Sequence, residues 1–322
     1  MRKTTVLWLI IAALLVFIGL GMFAAVMTAN HWDFTKLSTV KYETNTHSVT
    51  TAFTNIAVNT DTADITFLPS QDGICKVVCY EQEQAKHFVA VQDGTLTIRV
   101  LNEREWYTYI GITIGTPKLT VYLPETEYST LSIEGSTGDI TIPDEFLFAR
   151  MDISTSTGDV NAFASATETI SIRTSTGDIR VENVSADGID LSVSTGDITV
   201  RSVRCAGEMK LQTSTGDAKI SDVTCKNIVS TGSTGEIDLE NVIAAESISI
   251  TRSTGDVTLD DCDGAKLFIQ TDTGDVQGSL LSEKVFLVET DTGSVHIPQT
   301  TGGGTCEITT DTGDIRMNIR QK

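Results

Sequence analysis

Eight aspartates recur at intervals of about twenty residues: Asp139, Asp159, Asp178, Asp197, Asp217, Asp256, Asp275 and Asp314. Glu236 fills the gap between Asp217 and Asp256. If these carboxylates stand in one line at strand spacing, they repel one another, and counter-ions relieve the repulsion. Hard oxygen ligands placed close together suit Ca²⁺, so the row is a candidate metal ladder. The calcium-binding β-roll, however, uses a G-G-x-G-x-D nonapeptide, which this chain lacks. Each Asp also follows a Gly, and an Asp in such a bend can cap it through local backbone amides. Turn capping is therefore the favoured reading of these residues, and Ca²⁺ binding the alternative.

Other chemistry is sparse. A glycosidase needs two carboxylates in different environments across a cleft, whereas these lie in equivalent settings. The four histidines, His31, His47, His87 and His296, are scattered and match neither a zinc site nor a catalytic triad. There is no phosphate-binding loop of G-x-x-x-x-G-K-[ST] type. The residues therefore predict no catalytic group, no cofactor and no enzyme. Cys75 and Cys79 would lie about 13 Å apart on one extended strand, too far for a bridge. Cys205 and Cys225 each fall nine residues after a repeat glycine. They are expected to stack in adjacent repeats, either as small buried thiols or, at roughly 5 Å, as a disulfide. Trp106, Tyr107 and Tyr109 form the one aromatic cluster beyond the N-terminal segment. They are a candidate binding patch for a protein or a sugar, or a lid over the first apolar layer.

The elements that position these residues follow from the repeat. Gly138, Gly158, Gly177, Gly196, Gly216, Gly235, Gly255, Gly274, Gly293 and Gly313 are spaced by 19 or 20 residues and each follows a Thr. Asp follows eight of the ten, the exceptions being Glu236 and Ser294. Five residues before Gly the side chain is aliphatic in nine repeats, as in Ile133, Leu191 and Ile269; Ser230 is the exception. Two residues after it stand Ile140, Val160, Ile179 and their equivalents. Apolar positions two apart are strand periodicity with one face turned inward. Each repeat is thus strand, T-G-D turn, strand and a variable return. Such a period is the signature of a solenoid, in which neighbouring rungs bury each other's apolar faces. Ten rungs at strand spacing make a rod on the order of 45–50 Å long. The Gly235 rung, with Ser230 and Glu236, is expected to be irregular. Arg316, Arg320 and Lys322 are expected to blunt the last strand edge by charge.

Asp61-Thr62-Ala63-Asp64-Ile65 reads as a degenerate rung with Ala in the Gly place. Strands are expected at Cys75–Tyr80, Thr95–Leu101, Tyr107–Ile114 and Lys118–Leu123, and Asp93-Gly94 signals a hairpin. Val6 to Met27 is a run of 22 residues without a charge, long enough to span a bilayer, which needs roughly 20. Large Met27 in the −3 position favours an uncleaved anchor over a cleaved signal peptide, which stays open. Arg2 and Lys3 precede the run, which places the N-terminus in the cytoplasm and the rest outside. The expected organisation is an all-β solenoid preceded by one transmembrane helix: anchor 1–29, spacer 30–49, N-terminal β region 50–130 and T-G-D solenoid 131–322. The net charge is −20, and −22 for the part after residue 30. So acidic a surface is repelled by nucleic acid.

The degenerate rung at Asp61–Ile65, the D-G-T-L-T-I strand at Asp93–Ile98 and the S-T-G-D-I rungs resemble the bacterial putative-adhesin family of T-G-D repeat β-solenoids, a domain of unknown function. The resemblance covers roughly residues 50 to 320. It implies a cell-surface or envelope protein, in some members linked with envelope stress, and it supplies no catalytic or ligand residues. The combined expectation is a membrane-anchored, extracytoplasmic, non-enzymatic binding or adhesion module. Its expected partners are the membrane through the helix, and an envelope protein or surface polysaccharide. The alternatives are an envelope-stress sensor or scaffold working through a membrane partner, and a carbohydrate-active β-helix enzyme.

Overall fold

The computed structural model describes residues 3–33, 40–102 and 115–320. Its one long helix, α1 (Lys3–Ala29), is apolar on every face. At 1.5 Å per residue it is about 40 Å long, more than the roughly 30 Å of a bilayer core. It is long and apolar enough to cross a membrane.

Among the described residues everything after Tyr42 is strand and turn, as the period of two requires; the strand expected at Tyr107–Ile114 lies outside them. Seven strands precede the regular repeats: β1 (Tyr42–Val49), β2 (Asn55–Thr62), β3 (Asp64–Pro69), β4 (Cys75–Gln82), β5 (Ala85–Gln92), β6 (Thr95–Asn102) and β7 (Lys118–Leu123). The ten T-G-D rungs follow. In each, a strand ending at the Thr before Gly turns through T-G-D into a second strand that begins two residues after Gly. Successive rungs pair in parallel with like positions in register, for example Ile153↔Ile172 and Ile179↔Ile198.

The columns predicted to face inward do so. Ile133, Ile153, Ile172, Leu191, Leu211, Ile250, Ile269 and Ile308 form one buried column. Ile140, Val160, Ile179, Ile198, Ala218, Ile237, Val257, Val276 and Ile315 form another. A second corner is less visible in the sequence. Asn183, Ser202, Asp222, Asn241 and Asp261 have φ between 52° and 58°. They lie six residues after their rung glycines, and short polar side chains tolerate this left-handed bend best.

Spatial order departs from chain order at both ends. β2 is flanked by β6 on one side and by Glu127–Thr137 of the Gly138 rung on the other. β3 lies likewise between β7 and the Gly138 rung. The chain therefore begins one layer in, runs outward to lay down β6 and β7, and then steps back past β2 and β3. Beyond that outer layer lie antiparallel strands: β5 on β6, β4 on β7, and β1 on β4. The Asp93-Gly94 hairpin joins β5 to β6 with both residues at positive φ. Tyr42–Val49, expected within the polar spacer, is the outermost strand β1 of this base.

At the far end the last two rungs are exchanged. The strand Gly304–Thr312 pairs with Val257–Thr273 on one side and with Lys284–Thr292 on the other. The order is Gly274, Gly313, Gly293, so the rung that is last in sequence is enclosed. The return runs through Thr301-Gly302-Gly303-Gly304. A Cβ on Gly303 would stand 1.8 Å from the Glu283 carbonyl, and one on Gly304 2.0 Å from that of Ala265. Two glycines make this crossing sterically open. The expectation that Arg316 and Arg320 blunt the terminal edge is corrected. Arg316 pairs with Asp275 and Asp314, and Arg320 with Asp261, so they tie inner layers together. Lys322 lies outside the described residues.

Candidate functional site

The T-G-D ridge is the most repetitive surface, and its chemistry is visible bond by bond. Each rung glycine except Gly293 donates its amide to the Thr carbonyl of the next layer, as from Gly158 to Thr176 at 2.9 Å. Turns stacked this closely leave no space for a side chain. A Cβ on Gly196, where φ is 139°, would meet the Gly177 carbonyl oxygen at 2.2 Å. Ala63 escapes this constraint because the layer beneath it is the β6–β7 layer, where Asp64 donates its amide to Pro117.

The aspartates act between rungs rather than within their own bends, which corrects the turn-capping geometry expected from sequence. The Asp159 amide donates to the Asp139 carboxylate, Asp178 to Asp159, Asp197 to Asp178, Asp217 to Asp197 and Glu236 to Asp217, all at 2.8–2.9 Å. Asp275 donates to Asp256 and Asp314 to Asp275 at 2.8 Å. Finally Ser294 donates to Asp314 through both its amide and its hydroxyl. Those two bonds, with Arg316, hold the Asp314 carboxyl below the usual aspartate range. No such bond joins Glu236 to Asp256 among the described residues, so the ladder breaks once. Ser294 follows logically: its rung is terminal, and no further amide needs a carboxylate. One oxygen of each ladder Asp is thus committed to a backbone amide, which accounts for the residue type without a cation.

A match to a family model decides the kinship: Toastrack DUF4097 is matched over residues 53–227 and 206–322. The chain belongs to the Toastrack DUF4097 family. Among curated proteins no relative matches it. It is similar in structure to a Bacteroides fragilis protein described as a putative adhesin, with 15% identity and a TM-score of 0.43 over 86% of this chain and 97% of that one. A Parabacteroides distasonis protein described in the same words has 12% identity and a TM-score of 0.45, over 84% and 97%. Another from that organism, described as a putative lipid binding protein, has 11% identity and a TM-score of 0.42, over 85% and 96%.

Elsewhere in the Toastrack chain, polar chemistry is mostly spent on packing. Among the described residues, Cys79, Glu81 and His87 are one group whose ligand atoms lie within 4.8 Å of one another, all buried. Sequence spacing missed them, because they meet only where β5 folds back beside β4. Glu81 accepts the His87 amide at 2.6 Å, bonds its Nδ1 at 2.7 Å and accepts from the Asn45 amide group at 2.8 Å. His87 Nε2 lies 3.2 Å from the Thr60 hydroxyl. Burial, with the Glu81 charge beside it, pushes the Cys79 thiol up to about 12. Each imidazole nitrogen and both Glu81 oxygens have a partner, so the cluster reads as a polar pin joining four strands of the base.

The irregularity expected at the Gly235 rung is a buried arginine. Arg252, from the next rung, fills the space beside Ser230 and Gly232 and donates to the Ser230 and Thr213 hydroxyls at 3.1 Å each. A Cβ on Gly232 would lie 1.6 Å from its guanidinium. Burial lowers Arg252 to about 10, against the opposing pull of Asp217.

A shallow groove of about 740 Å³ crosses the return segments, lined by Ala166, Ala186, Ala206, Cys205 and Cys225 among others. Cys205 and Cys225 are free and buried, in neighbouring layers as the spacing predicted. Burial raises both thiols, Cys225 to about 12, which keeps them protonated and unreactive. Trp106, Tyr107 and Tyr109 lie outside the described residues.

Proposed function

We propose that this Toastrack chain is a membrane-anchored, extracytoplasmic β-solenoid that serves as a non-enzymatic surface-binding module in adhesion. The observation that carries the reading is the union of α1 with the rod. Side chains such as Phe17 (74% exposed) and Trp8 (69%) stand out from every face of α1, which suits lipid and not water. Arg2 and Lys3 on its N-terminal side favour a cytoplasmic N-terminus. The rod beyond it spends its carboxylates on equivalent inter-rung bonds, whereas hydrolysis needs carboxylates in unequal settings across one cleft. The long, acidic, repetitive face suits contact with a partner over many rungs and disfavours nucleic acid.

A membrane-impermeant amine reagent applied to intact cells tests the topology. Lys226 has a side chain 52% exposed. It is expected to react in intact cells as fully as after lysis. Labelling of Lys226 only after lysis would place the rod inside and overturn the reading.

A further inference from the structure

The terminal Gly293 rung is half-covered. Among the described residues, its strand Lys284–Thr292 pairs only with Gly304–Thr312, and Val295–His296 only with Ile315–Ile319. Apart from the Lys284 carbonyl, which accepts from the Thr300 hydroxyl, the outer edge is covered by no described strand, a ready template for further pairing. The apolar columns also end in the open there. Phe286, Val288 and Ile297 are only partly buried, and Val295 is 41% exposed. On the outer surface beside them Val285 is 38% and Leu287 58% exposed.

We propose that this tip docks against the tip of a second copy of the same chain, about a twofold axis. A twofold axis across the rod sets Lys284–Thr292 antiparallel to its own copy, so the open edge can pair with itself along its length. The end face is two strands wide, so one added peptide strand would leave half of it bare, whereas a second rung end covers both edges. The base cannot serve as the acceptor. Its outermost strand β1 runs antiparallel to β4 and turns Thr44, Thr46 and Ser48 outward, so it presents no parallel, apolar rung end to a tip. A head-to-tail fibre is therefore blocked, and an isologous contact closes at two. The nine-residue edge of Lys284–Thr292, about 30 Å long, with the opposite wall of the rung about 10 Å away and the outer side chains, gives an end face of roughly 600 Å² per copy. Two such faces bury about 1,200 Å², the lower end of the range for specific contacts.

Charge gives the contact a signature. Lys284 is already paired with Asp263 at 2.6 Å. That leaves Glu289 and Asp291 at the rim of each tip, where both are exposed. Like charges meet across the twofold, so salt strengthens the pairing by screening. A basic peptide bound at the same edge would be weakened by salt. The anchors lie at the far ends of the paired rod, so the contact would join two facing membranes. That consequence rests on the proposed topology; the pairing itself does not.

The test uses the full chain reconstituted at one copy per lipid nanodisc, imaged by electron microscopy and weighed by mass photometry. Wild type is expected to form disc pairs bridged by a rod of double length, increasing from about 50 mM to about 500 mM NaCl. The variant Val285→Lys/Leu287→Lys changes two exposed side chains. Its circular dichroism and melting should match wild type, with pairing at least tenfold weaker. Single discs only for wild type, equal pairing by the variant, or pairing that weakens with salt would each overturn the proposal. Failure here leaves the labelling result at Lys226 standing, and the converse holds.

Discussion

The two ends of the rod solve the same problem differently. At the base the chain lays down the inner parallel layer, β2–β3, before the outer one, β6–β7, whereas at the tip it lays down the outer Gly293 rung before the inner Gly313 rung. At the base, antiparallel strands close the outer layer, and the inward positions of β1 carry Asn45 and His47, with Asn45 bonded to the buried Glu81. At the tip no described strand lies beyond the Gly293 rung, and past the paired Lys284 its inward positions include the apolar Phe286, Val288 and Val295. An edge that is capped with polar, antiparallel strands resists further stacking, whereas an apolar parallel edge invites it. The contrast locates the base as structural and the tip as a surface for contact.

The largest effect should come from the stack that both ends share. Gly196→Ala puts a Cβ against the Gly177 carbonyl at 2.2 Å, in a backbone region with φ of 139°, and is expected to destabilise by about 4–5 kcal/mol or prevent folding. The matching change at the edge of the stack, Ala63→Gly, should lower stability by only about 0.5–1 kcal/mol, through chain entropy. Thermal melting of the two variants checks this; equal losses would mean that the stack does not depend on close turn contact.

The base is next. Glu81→Ala leaves His87, its amide and Asn45 without their partner inside a buried site, which is expected to cost about 3 kcal/mol. The loss should show locally, as faster amide exchange in β1 and β5 with the central rungs unchanged. Uniform loosening along the rod would deny the base its separate role.

The ladder gives a smaller effect. Asp178→Ala removes the acceptor for the Asp197 amide at 2.8 Å and should cost about 1–2 kcal/mol by melting. Ser294→Ala, at the terminal rung, should change stability by less than about 0.5 kcal/mol. If the two variants melt alike, the carboxylates are not inter-rung ties.

Acid should loosen the tip. Burial alone would raise the Asp263 carboxyl, but bonds from Lys284 and Ser282 outweigh it and lower the value below the usual 3.8. A depressed carboxyl stabilises above its ordinary range and loses that contribution as pH falls through its folded value. Protection of the Lys284–Thr292 amides, relative to the intrinsic exchange rate at each pH, should therefore fall below about pH 4, while a rise in protection there would reverse the sign of the argument.

Much of this was legible in the residues. The T-G-D glycines, the aliphatic column five residues before them and the one two after gave the rung and its inward faces. Asp93-Gly94 gave the hairpin. The exchange of the last two rungs was not legible from spacing, since the Gly293 and Gly313 repeats are equally periodic and either could lie outermost. Two features hinted at it: Ser294 where a tie to a further layer would need Asp, and the Gly302–Gly304 run that a return crossing requires. The Glu81–His87 pin could not be read, because its further partners, Asn45 and Thr60, come from β1 and β2, distant in sequence. Ser230 looked like a flaw because its compensation, Arg252, sits in the next rung. The strand at Tyr42–Val49 escaped because its outward Thr and Ser gave it the look of a polar linker.

The amides of two glycines test the asymmetry of the ends most directly. In the stacked order found here, the Gly313 amide donates to the Thr292 carbonyl at 2.9 Å, while Gly293 faces the open edge. Native-state hydrogen exchange, read residue by residue on the full chain, should find Gly313 protected and Gly293 exchanging at the rate of exposed backbone. The reverse pattern, Gly293 protected and Gly313 open, would mean that the rungs stack in chain order and that the tip is a different surface from the one described.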